Sequence, residues 1–182
     1  MARVPFVDRE SLDPEGQAIY ERIRSDRNAP KVGFQFRALL NSPQATSHLT
    51  SMGTQLRFHS ALPEDLKELA IIIAAREWNS HIEWTAHAAI AEKAGVSKAV
   101  IEAVRTHKAP AGLNEREQVV AKFVLQLLRD KNVSDEQFAA AQKLLGTKGV
   151  VDLVLTCCYY TSLGMAQIAL KIEMEDGKVS TL

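Results

Sequence analysis

The feature that most constrains this chain is the punctuation of its helices. Asp13 before Pro14 and Ser42 before Pro43 each set a capping oxygen ahead of a proline at the first helical position. Asn79, Ser97, Asn114, Ser134 and Thr147 stand before further periodic segments, while Gly95 and Gly146 sit where helices should stop. The pattern predicts helices near 14–26, 34–41, 43–59, 63–78, 80–94, 97–107, 115–131, 135–145 and 148–173. No segment alternates with the period of two that a half-buried strand needs, and the apolar stretches are rich in good helix formers. An all-α fold follows.

Connections between these segments are short, with no Gly/Ser linker, low-complexity tract or fixed-period repeat, so 182 residues read as a single domain, 1–182. A hydrophobic share of 46% is enough to build a core. Lys plus Arg and Asp plus Glu both total 22, without basic or acidic blocks, which argues against nucleic acid or an anionic membrane as partner. The first residues, MARVPFVDRESLDPEG, lack an apolar core and a small-residue cleavage site, and the expected location is the cytoplasm.

Two stretches are apolar almost all round, Leu69–Ala75 and Val150 to Leu170, and both are expected to be buried. The second has the length of a bilayer span, about 20 residues, yet it carries Asp152, Thr156, Thr161, Ser162 and Gln167, so it reads as a core or subunit-interface helix. The only cysteines, Cys157 and Cys158, are neighbours whose side chains diverge by about 100° on a helix. That suits neither an ordinary disulfide nor a shared metal, and both read as reduced core residues.

One face holds the candidate chemistry. Within EWNSHIEWTAHAAIAEKAG, Ser80, Glu83, Trp84 and His87 fall inside an arc of about 100°, a polar group at or beside the expected apolar side of a helix. Glu68, on the preceding helix, shares a face with Ile71, Ile72 and Ala75. A carboxylate there needs a partner, and contact of His87 with Glu68 or Glu83 is how acid–base pairs are tuned. The plain alternative is a Glu–His surface pair worth a few tenths of a kcal/mol. Arg76 is a candidate to pair with Glu68 or grip a substrate carboxylate, and His81 is a weaker site candidate, about 100° from Ser80. Trp84 packs in the core or lines a cavity beside the polar stripe. His48 and His107 read as solvated, and no H-E-x-x-H or Cys/His cluster points to a metal.

The run LPEDLKELAIIIAAREWNSHIEWTAHAAIAEKAGVS, residues 62–97, resembles the core of the carboxymuconolactone decarboxylase family, which includes the alkylhydroperoxidase D proteins. The likeness extends more loosely over about 35–172, including TCCYYTSLGMAQIAL; residues 1–30 read as an N-terminal extension that adds little to it. In the peroxidase branch a glutamate on one helix precedes C-x-x-C-x-x-x-H on the next. Here Glu68 stands at that glutamate, Ser80 and Glu83 at the two cysteines, and His87 at the histidine. Dithiol peroxide reduction needs an attacking thiolate and a resolving thiol, so that mechanism cannot run at this site.

The remaining pattern is similar to the decarboxylase branch. Membership implies an all-α, alkylhydroperoxidase D-like helical bundle with a helical-hairpin core, assembled as a trimeric or hexameric homo-oligomer. It implies a site for a small-molecule substrate with no metal or organic cofactor, sometimes at a subunit boundary. The family's named reaction removes CO2 from a γ-lactone acid and moves a double bond during aromatic-compound breakdown. On that reading His87 is the general acid, Glu83 or Glu68 sets its tautomer, Ser80 donates to the lactone carbonyl, and Arg76 or His81 orients the carboxylate. The rival reading is a helical oligomer or small-ligand binder that kept the fold without the chemistry. Residual peroxide reduction through Cys157 or Cys158 is a third.

Overall fold

The structure, a computed structural model, describes residues 1–108, 112–175 and 177–182. These residues form helices and turns with no strand among them. Eight α-helices follow in order: α1 Pro14–Asp26, α2 Phe34–Leu39, α3 Pro43–Phe58, α4 Glu64–Glu77, α5 His81–Ala94, α6 Lys98–Arg105, α7 Glu115–Leu125 and α8 Asp135–Leu170. The described residues divide into two compact units, Met1–His59 with Met165–Val179, and Ser60–Gly164 with Ser180–Leu182.

Local chemistry sets most helix ends. Asp13 accepts from the Gly16 N–H at 2.7 Å with Pro14 behind it, Ser97 caps Val100, and Asn114 forms a reciprocal capping box with Glu117. Ser42 departs from expectation, because its side chain makes no capping bond and Pro43 alone marks the start of α3. Asn79 departs too. It sits at φ 48, in the left-handed region, closing the end of α4, and Ser80 is the residue that caps α5. A 3-10 turn over Arg9–Ser11 has no counterpart in the sequence reading, and the helix expected over 115–131 runs as α7 to Leu125 and continues as a π-helical turn over Gln126–Asp130. Gly146, at φ 69 and ψ 171, is non-helical in a conformation that favours glycine, so two helical stretches meet at a kink within α8 and the stop expected at Gly146 is present. That helix ends at Leu170, short of the expected 173.

The first unit closes around Ile19, Tyr20, Ile23, Val32 and Leu40, with α1 packed on α3. The Arg22 guanidinium, in α1, donates to the Ser47 carbonyl and the Thr50 hydroxyl of α3 at 3.0 Å each.

The second unit is built around α4. Every residue from Leu66 to Ala75 is buried, and α5, α6 and α7 all pack against this helix. Acidic Glu64 and Asp65 in its first turn and Arg76 in its last oppose the helix dipole in the favourable sense. The α4–α5 connection is tight: the Ser80 N–H reaches back to the Ala75 carbonyl at 2.8 Å, and the Asn79 N–H to that of Arg76 at 3.0 Å. The hairpin therefore runs antiparallel and sets Glu68, about two turns before the connection, level with His87, about two turns after it.

In α8, Leu153, Cys157, Tyr159, Tyr160 and Leu163 are buried, as a core helix requires. Its length and apolar composition alone would also pass for a membrane span. The expectation of full burial from Val150 to Leu170 is corrected, because Val151 and Leu155 in the second unit, and Met165 and Ile168 in the first, are exposed. Cys158 lies on an exposed face as well, so only Cys157 is a core cysteine, and both are free thiols. Trp78, at the end of α4, donates from Nε1 to the Thr161 hydroxyl at 3.1 Å. Gly164 lies so close that a Cβ there would come within 2.6 Å of the Trp78 Cβ, a separation that only glycine allows.

Candidate active site

The α4–α5 hairpin places a histidine between carboxylates. His87 Nδ1 lies 2.7 Å from Glu68 Oε2, and His87 Nε2 lies 3.7 Å from Glu83 Oε2, one turn away on the same helix. All three side chains are buried, the imidazole to 3% exposure. At that burial the short contact to Glu68 excludes water, and the carboxylate on an apolar face has the partner it needs.

A fourth group arrives from α8. The Tyr160 hydroxyl lies 3.1 Å from His87 Nε2, and the two rings meet edge to face with centroids 5.0 Å apart. Tyr160 was not among the residues that the sequence singled out. A signal was present, since a tyrosine inside an almost wholly apolar helix must find a partner for its hydroxyl when buried, but that signal names no partner. Tyr159 packs edge-on against Tyr160 at 5.1 Å, so neighbouring rings as well as the hydrogen bond fix the hydroxyl's position.

The other sequence candidates divide. Ser80 is buried at the start of α5, where its hydroxyl accepts from the Glu83 N–H at 3.4 Å and so helps place Glu83. Trp84 is 1% exposed and belongs to the hydrophobic core beneath the polar stripe. Arg76 is not brought to the cluster: its Nε donates to the Arg105 carbonyl at 2.6 Å, closing the end of α6, and another guanidinium nitrogen donates to the Asn79 side chain. His81 is exposed, with Nδ1 2.7 Å from the Ser180 hydroxyl. His48 and His107 are exposed as read from the sequence. Among the described residues no group of His, Cys, Asp or Glu is arranged to hold a metal ion.

Cys157 is no substitute for the absent motif thiols. Burial, with the neighbouring Cys158 adding to it, pushes its thiol up to about 12, so the reactive thiolate is scarce at neutral pH. An open groove lies elsewhere on the unit, lined by Thr85, Ala88, Glu92, Ile101, Glu102 and Thr181, and His87 is not part of its wall.

Residues 43–126, which hold Glu68, Ser80, Glu83 and His87 in one hairpin, match the sequence profile of the carboxymuconolactone decarboxylase family. By that match the segment belongs to the carboxymuconolactone decarboxylase family. Tyr160 lies outside the matched segment. The fold of the whole chain is that of the alkylhydroperoxidase D core. A peroxidase-related protein of that core from Ralstonia eutropha is similar with a TM-score of 0.75 at 15% identity, over 96% of this chain and 93% of its own. The debrominase Bmp8, in a variant bound to 2,3,4-tribromopyrrole, is similar with a TM-score of 0.74 at 11% identity, over 97% of this chain and 92% of its own. Its unliganded form gives 0.70 at 12% identity, over 90% and 87%. At such identities the likeness speaks for the fold. No curated protein matches the sequence.

Proposed function

We propose that this chain is a cofactor-independent lyase acting on a small carboxylated, lactone-like or enolisable compound, with His87 as the group that moves the proton. The observation that carries the reading is the buried Glu68–His87 pair at 2.7 Å, with Glu83 standing where the peroxidase branch has its second thiol.

In such a reaction the bond from carbon to the departing carboxylate breaks, and its electron pair moves into the conjugated lactone carbonyl to give a dienolate. The substrate is its own electron sink. CO2 leaves, the protonated imidazole of His87 delivers its proton to carbon, the carbonyl re-forms, and solvent restores the proton to the ring. Glu68 stabilises the imidazolium on the Nδ1 side, and Glu83 adds a second negative charge beside Nε2. Ser80 keeps the Glu83 backbone in register.

We further propose that the protein works as a homo-oligomer, a trimer or hexamer; the exposed Val151 and Leu155 of α8, one turn apart in the second unit, support this as apolar surface suited to a second copy.

Release of CO2 from a panel of γ-lactone acids tests the reading. Activity should survive chelation and thiol alkylation and fall at least a hundredfold in His87→Ala. An unchanged rate in that variant removes His87 from the mechanism. A second reading draws on the same burial: an imidazole 3% exposed with both nitrogens engaged is also what a structural core histidine looks like. On that reading the chain is a helical scaffold or ligand binder, and lactone acids raise its melting temperature without turnover.

A further inference from the structure

We propose that Tyr160 is a positioning residue: its hydroxyl donates to His87 Nε2 and holds the neutral ring as the Nδ1–H tautomer, reserving Nε2 as the nitrogen that takes up and gives up the proton.

The argument starts at the other nitrogen. An ionised carboxylate only accepts, so the 2.7 Å contact with Glu68 places the ring's hydrogen on Nδ1. Nε2 of the neutral ring then offers a lone pair, and the group 3.1 Å from it is a phenol able to donate. The opposite tautomer would leave Nδ1 as an acceptor facing an acceptor. Glu83 Oε2, 3.7 Å from Nε2, would favour that wrong tautomer by accepting an Nε2–H, and the phenol counters it.

The phenol is suited to both states of the ring. When Nε2 gains a proton, the hydroxyl rotates its own hydrogen away and accepts from Nε2–H without moving its oxygen. Packing holds that oxygen in place, because the Tyr160 ring lies edge-on to both His87 and Tyr159. The ring is thus kept in orientation through a protonation cycle by a residue 73 positions away in sequence.

The functional consequence rests on the acid–base reading above; the tautomer itself does not. Nitrogen-15 NMR of histidine-labelled protein in alkaline buffer tests it without any substrate. The expected wild-type spectrum shows His87 with a protonated Nδ1 and a bare Nε2, and Tyr160→Phe, which keeps the ring and deletes the hydroxyl, should lose that single-tautomer pattern. If Tyr160→Phe does not fold, fluorotyrosine incorporation serves instead, and its stronger phenol donor should shift the His87 Nε2 signal. An Nε2–H tautomer in the wild type, or a His87 signal indifferent to both changes, overturns the proposal. Should a substrate be found, kcat should fall about tenfold or more in Tyr160→Phe with KM held. Turnover unaffected by His87→Ala would instead defeat the lyase reading and leave the tautomer assignment standing.

Discussion

A carboxylate and an imidazole 2.7 Å apart, each under 5% exposed, interact through little intervening water, so each depends on the other for its place in the core. Replacing Glu68 by Gln keeps one acceptor for Nδ1–H but introduces an amide that needs partners of its own, and the cost should be about 1–3 kcal/mol in denaturant unfolding. The same reasoning separates the cysteines. Cys157, its thiol pushed up to about 12 by burial, should resist alkylation in the native protein, whereas exposed Cys158 should react, a difference that mass spectrometry after iodoacetamide treatment reads directly. Glu68, Glu83 and His87 were legible in the sequence because helical spacing sets them on facing stripes of two consecutive helices. Tyr160 was not, because its partner is set by how α8 packs and no local pattern encodes that. Arg76 and His81 found their partners, Arg105 and Ser180, through tertiary neighbours that spacing does not reveal.

At the scale of elements, two of the contacts that α8 makes within the second unit are each testable. Asp152 accepts from the Ala61 N–H at 2.7 Å and from Lys148 at 2.9 Å, fastening α8 to the turn before α4. Burial works against its charge, but the Ala61 N–H, Lys148 and Ser60 together outweigh it and hold the carboxyl below its ordinary value. A carboxyl with a depressed folded value adds stability above its unfolded value and loses it as pH falls through the folded one. Asp152→Asn should therefore cost about 1–2 kcal/mol at neutral pH, a deficit that closes in acid; an equal deficit at both ends of the range would remove the charge from the account. Gly164→Ala would force its Cβ against Trp78 and should lower stability by about 1–3 kcal/mol. Helix starts at Pro14 and Pro43 and the stop at Gly95 were readable because one or two residues decide them. The π-helical turn after α7 and the end of α8 were not, since tertiary packing fixes both.

For the whole molecule, all-helical architecture and family membership followed from patterns spread along the chain, while exposure on α8 depends on which faces find partners. If Val151 and Leu155 meet a second copy, sedimentation should show an oligomer, and Leu155→Glu should lower its order; a monomer in the wild type would leave that surface unexplained. The central claim is that His87 exchanges a proton with carbon. It is tested most directly by following, by NMR in D2O, the deuterium delivered to carbon in the product as a γ-lactone acid loses CO2. Wild-type protein should form the deuterated product at least a hundred times faster than a folded His87→Ala variant. Equal rates in the two proteins would contradict it.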